Sequence, residues 1–159
     1  MKIGKIACAA IAVACLAAGS VEAREQTMKF RLVTTPVSSS FDDVPNTEGH
    51  KMGVAKYVGV AVFEDGRIAF KDFVLTMERV GKEGNYIGYS TYTFQNGDSL
   101  NLKFTGAYSP KGNGGDYEVL SGTGAFEGAS GTGRFDMGKD PWKAAYYWDG
   151  SFKLELPDK

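Results

Sequence analysis

The sequence predicts an all-β chain: an eight-stranded antiparallel β-barrel with a glycine-rich closing hairpin. Three observations carry this. Apolar residues recur with a period of two along most of the chain, turn dipeptides divide the alternating runs, and the stretch Ser121 to Phe135, SGTGAFEGASGTGRF, holds five glycines in fifteen residues. No segment after the first 23 residues carries a helical apolar stripe. An open sandwich is the alternative, but eight hairpin-linked strands that close on themselves leave no exposed edge to aggregate.

The first element is an address label. Lys2 and Lys5 form a basic start, Ile6 to Ala18 is an unbroken apolar run, and Val21-Glu22-Ala23 is a small-x-small cleavage pattern, so residues 1–23 read as a signal peptide cut near Ala23. The run is shorter than the roughly 20 residues of a membrane span. Secretion or export to a periplasm is the expectation, with lipidation at Cys15 as the less favoured alternative. Cys8 and Cys15 are the only cysteines, so the mature chain has no disulfide and no thiolate for a metal or a nucleophile. Without Lys2, Lys5 and Glu22 the mature chain has 16 basic and 18 acidic residues, a net charge of −2. The basic residues are scattered singly, which argues against nucleic acid as a partner.

Residues 24–54 read as one strand, Met28 to Thr34, followed by a polar loop, and residues 55–159 supply the rest of a single domain. Ala55 to Phe63 puts Tyr57, Gly59, Ala61 and Phe63 on one face, and Ser99 to Tyr108 puts Leu100, Leu102 and Phe104 on one face. The other predicted strands are Phe73 to Arg79, Asn85 to Phe94, Asp116 to Leu120, Gly133 to Met137 and Lys143 to Leu156. Asp65-Gly66 and Asn96-Gly97 supply the positive φ of tight hairpins, and Gly81 with Gly84 brackets a longer one.

The glycine block poses a choice between a phosphate and the chain's own strands. Phosphate-binding loops need a helix N-terminus behind them, and a P-loop also needs a Lys-Ser/Thr pair. Here Gly133 leads into RFDMGKDP, four strand-like residues and then another breaker. The block therefore reads as a sharp connection between strands, with Phe126 free to plug one end of the core.

The run from Tyr89 to Phe135 resembles the allene oxide cyclase and dirigent protein superfamily. The matching features are Tyr92 with Phe94, Asn96-Gly97, Gly106 with Tyr108, and Gly122 through Gly131, and the closing AAYYWDGSFKLELP resembles the family's aromatic last strand. The likeness spans roughly residues 73–156 and implies an eight-stranded barrel with a central cavity, often a homotrimer. Allene oxide cyclases carry a Glu and a nearby Asn on the first strand. MKFRLVT has neither, so nothing there would stabilise charge on an opening epoxide.

Candidate catalytic groups are few. Asp72 and Glu78 share a face with Val74 and Thr76; if that face lines a cavity they are desolvated carboxylates able to act as acid or base, and if it is the outer face both are solvated. His50 reads as an exposed loop residue, and Asp42-Asp43 as a hydrated pair. No metal set and no cofactor is indicated. Aromatics make up 13% of the chain. Tyr57, Tyr92, Phe94, Phe104 and Tyr108 are the candidate ligand-binding residues, since rings at strand spacing either fill a small barrel or line a pocket. The expected function is a barrel that binds a small hydrophobic or phenolic ligand. The alternative is a cyclase or isomerase acting in the cavity.

Overall fold

The computed structural model describes residues 23–139 and 142–158; the predicted leader and Cys15 lie outside them. Eight strands follow in chain order: β1 Arg24–Asp43, β2 His50–Phe63, β3 Ile68–Val80, β4 Glu83–Phe94, β5 Ser99–Ser109, β6 Gly112–Gly122, β7 Ser130–Met137 and β8 Tyr146–Leu156. Each pairs antiparallel with its neighbour in sequence, and β8 returns to β1 in the register Arg24↔Leu156 to Thr34↔Tyr146. The result is a closed barrel, as the alternation predicts, and the open sandwich is set aside.

The inner face is the more apolar one in each alternating run. Ala55, Ala61 and Phe63 of β2, and Leu100, Leu102 and Phe104 of β5, are buried. Asp65-Gly66 and Asn96-Gly97 turn as expected, with φ of 86° at Gly66 and 90° at Gly97. Gly84 belongs to β4 and not to the preceding turn.

Residues 35–54 differ from the predicted loop. β1 continues to Asp43 and β2 begins at His50, so most of TPVSSSFDD pairs with β2, and the register shifts between Pro36 and Ser38. A proline cannot donate to the ladder, and a bulge accommodates it. This extension shows no alternation because all of residues 35–43 are exposed, so the hydrophobic period that marks a half-buried strand is absent. His50 consequently sits at the start of β2, where its ring nitrogen lies 2.8 Å from the Glu78 carboxylate.

One end of the barrel is packed solid. Phe30, Phe63, Tyr92, Phe94, Phe126 and Phe152 are each at most 5% exposed. The Phe94 and Phe126 centroids are 4.9 Å apart, and those of Tyr92 and Phe152 are 5.3 Å apart. Arg67, tethered to Asp65, lays its guanidinium 5.4 Å from the Phe94 centroid and 5.6 Å from that of Phe126, which covers this end with a cation.

The glycine block makes that seal. A single 3₁₀ turn, Gly124–Phe126, drives Phe126 into the barrel, and Gly124 and Gly128 take φ of 60° and 74° around it. Gly131 combines a φ of 138° with a position where a Cβ would meet the Lys153 carbonyl and Leu154 Cα. Gly131→Val is expected to cost about 1–3 kcal/mol, read as a lower urea midpoint. Gly133 has a different use: it faces Phe152 across the β7–β8 ladder, and any Cβ there would enter the ring.

The same device recurs along the β4–β5 ladder. Gly84, Gly88 and Gly106 stand opposite Tyr108, Phe104 and Tyr86, and in each pair a Cβ on the glycine would collide with the facing ring. Removing the Cβ lets the ring lie flat against the neighbouring strand, which shields the glycine backbone. Along β4–β5 large rings thus lie against the barrel wall.

Candidate ligand cavity

The hairpin ends β1–β2, β3–β4, β5–β6 and β7–β8 gather at the opposite end of the barrel, which the described residues leave unsealed. A cavity of about 320 Å³ opens there, within the roughly 300–1,000 Å³ usual for small-molecule sites. Half-buried Tyr57, Tyr108, Tyr146 and Trp148 stand at its mouth, and buried Leu32, Phe73, Phe104, Tyr117 and Phe135 form its deeper wall. Phe41, from the part of β1 expected to be loop, also reaches the lining.

Polar groups are few and specifically placed. The Tyr86 hydroxyl donates to the Asn113 side-chain oxygen at 2.7 Å, and Trp148 Nε1 donates to the Thr34 hydroxyl at 3.0 Å. The Tyr108 hydroxyl is buried without a hydrogen-bond partner among the described residues. Lys71 is only 3% exposed and sits between the cavity and the packed end. Its Nζ lies 2.8 Å from the Tyr117 hydroxyl, which lies 3.1 Å from the Tyr92 hydroxyl. Four rings surround the amine, with centroids 4.3 Å (Phe73), 4.9 Å (Tyr117), 5.1 Å (Tyr92) and 5.2 Å (Phe104) from Nζ.

Among the described residues no carboxylate forms an ion pair with Lys71 and none lines the cavity, where Arg79 is the other cation. Burial without a counter-ion disfavours the ammonium and pushes the Lys71 pKa down to about 7. Burial also raises the pKa of Tyr117 and Tyr92, so both phenols stay protonated at neutral pH.

The candidate ligand-binding rings divide between the two ends. Tyr57, Phe104 and Tyr108 line the cavity, whereas Tyr92 and Phe94 lie in the packed end. Asp72 and Glu78 need a correction. Both point outward, with side chains 51% and 48% exposed; Asp72 lies 3.5 Å from Lys56, and Glu78 contacts His50. The opposite face of β3 holds Ala69, Lys71, Phe73 and Leu75, and its greater hydrophobicity turns it inward. That phase brings in Lys71, which sequence reasoning missed, although its place one residue before Asp72 was the available signal. Among the described residues no group of His, Cys, Asp and Glu could hold a metal, and no helix is long and apolar enough to cross a membrane.

Solved structures with the same architecture are found. The pterocarpan synthase dirigent protein GePTS1 superposes with a TM-score of 0.61 at 13% identity, covering 88% of this chain and 94% of its own. The fold is that of a dirigent-type barrel. The pterocarpan synthase dirigent protein PsPTS1 gives 0.56 at 14% identity, covering 86% of this chain and 97% of its own. A DUF3224-family protein of unknown function from Shewanella oneidensis MR-1 gives 0.50 at 17%, covering 87% of this chain and all of its own. No family model matches the sequence, and no curated protein does. The dirigent side of the sequence resemblance is thereby borne out at the level of fold.

Proposed function

We propose that this chain is an exported dirigent-type barrel that binds a small hydrophobic or phenolic ligand in its open half. The observation that carries the proposal is the division of the barrel: one end is sealed by aromatic packing, while the other keeps a ring-lined cavity with a few convergent polar groups. Flat apolar guests suit the rings, and the unpartnered Tyr108 hydroxyl offers a hydrogen bond to a phenol or carbonyl. The basic, apolar leader supports export. Val60, Phe70, Val74 and Tyr89, on adjacent outer positions of β2–β4, are 45% exposed or more and would be covered by packing between copies in a homotrimer.

Native mass spectrometry of the purified protein tests guest and stoichiometry together. A retained small molecule and a mass three times that of the chain are expected. In melting scans with a panel of phenolics and fatty acids, several members should raise Tm, and Phe104→Ala should change their ranking. No shift with any member would remove the binding reading.

A second reading, a cyclase or isomerase, is favoured by one observation. Lys71, Tyr117 and Tyr92 form a hydrogen-bonded line of ionisable groups reaching the cavity. In that reading Lys71 is the acid or base, a role for which Asp72 and Glu78 face the wrong way.

A further inference from the structure

A primary amine is an unusual thing to find against a ring-lined cavity. Lys71 reaches its position because β3 alternates Ala69, Lys71, Phe73 and Leu75 on its inner face, and Nζ ends among four rings contributed by β3, β4, β5 and β6. We propose that Lys71 captures aldehydes entering the cavity, its Nζ forming a reversible imine while Tyr117, backed by Tyr92, relays the proton. The inference rests on the reading that the cavity admits a small apolar guest, and it adds the guest's reactive group.

Three features support it. Lys71 lines the cavity, and its Nζ sits among Phe73, Phe104 and Tyr117, which line it too, so the amine lies at the wall that a guest's terminal carbon would meet. Its surroundings hold no counter-ion: the ionisable groups facing it are the Tyr117 and Tyr92 phenols, with Arg79 and the Tyr57, Tyr86, Tyr108 and Tyr146 hydroxyls elsewhere on the lining. A desolvated lysine without a counter-ion keeps the lone pair that nucleophilic attack requires, and its pKa of about 7 agrees. Finally, a neutral aldehyde brings no charge to desolvate, whereas an organic anion would have to lose its hydration to reach the same depth.

The step balances without any further reactant. The Nζ lone pair attacks the carbonyl carbon, a C–N bond forms, and the C=O π pair moves to oxygen. A proton passes from nitrogen to that oxygen through the Tyr117 hydroxyl, giving a carbinolamine. The hydroxyl then leaves as water with a proton from Tyr117, and the remaining N–H proton returns to Tyr117 as the C=N bond closes. One aldehyde and one amine yield one imine and one water, and hydrolysis reverses the sequence.

The test is reductive trapping. The full chain is incubated at pH 7 with cinnamaldehyde and sodium cyanoborohydride, and the adducts are mapped by peptide mass spectrometry. Melting scans with cinnamyl alcohol, which has the same shape without the carbonyl, run in parallel. Label is expected on Lys71 in about thousand-fold excess over exposed Lys29 and Lys153, because roughly half of its amine is free at pH 7 against fewer than about one in a thousand for an ordinary lysine. Lys71→Met should lose the adduct while labelling of Lys29 and Lys153 stays as in the parent. Should that variant not fold, Tyr117→Phe keeps the amine, and it should slow labelling of Lys71. Label spread evenly over exposed lysines, with the alcohol shift intact, overturns imine formation and leaves the cavity reading standing. Absence of both adduct and alcohol shift overturns the two together.

Discussion

Raising the pH from 7 to 10 should stabilise this protein by on the order of 3–4 kcal/mol through Lys71 alone. In the folded chain the Lys71 pKa lies at about 7, and in the unfolded chain it returns to about 10.4. Between these values the unfolded state binds the extra proton, so stability climbs by up to about 1.4 kcal/mol per pH unit. Below pH 7 both states are protonated and the folded state carries the full cost of the buried ammonium. Above about pH 10 the slope reverses, because Tyr86, Tyr92 and Tyr117 stay protonated in the fold while their unfolded counterparts ionise. Urea unfolding at a series of pH values reads the whole profile. Lys71→Met should flatten the rise between pH 7 and 10; a flat profile in the parent, or an unchanged rise in the variant, contradicts the assignment.

Truncating the packed end should have an effect of similar size and opposite sign. Tyr92 is fully buried, meets Phe30, Phe63, Tyr117 and Phe152 ring to ring, and sends its hydroxyl to Tyr117. Tyr92→Ala is expected to cost about 3–5 kcal/mol, a large share of the roughly 5–15 kcal/mol that holds a domain together. Tyr57 stacks on Phe73 at 5.2 Å but stands half-exposed at the mouth, so Tyr57→Ala should cost about 1 kcal/mol. Denaturant midpoints of the two variants decide the matter. Equal losses would mean that the barrel is packed alike at both ends.

These two residues also show what the sequence made legible. The strands and their order follow from alternation and the turns between the runs, because a half-buried sheet forces a period of two wherever one side meets the core. Phe126 as a plug was readable for a similar reason: one large apolar residue amid glycines in a connection has few other uses. The far half of β1 was not readable, since Ser38 to Asp43 are exposed and carry no period. Tyr57 and Tyr92 look alike in sequence, yet one borders the cavity and the other does not. Depth along the barrel axis depends on strand register, which no single strand encodes. Lys71 was hidden by a prior that lysines face water; the outward Asp72 next to it fixes the phase only once the apolar content of both faces of β3 is weighed. The pairing of rings with glycines in the β4–β5 register needs two strands at once, so neither sequence alone reveals it.

The seal of Arg67 and Phe126 makes the barrel a blind tube. Under the proposed binding function, a guest would enter and leave by the same mouth, and a long one would have to travel lengthwise. The group that arrives beside Lys71 is therefore the leading tip of the molecule, and functional groups farther back stop among Tyr57, Tyr108 and Trp148. Such a tube reads its guests from one end only. It can discriminate by what terminates them and by how far that terminus reaches, while remaining nearly indifferent to whatever trails outside the rim.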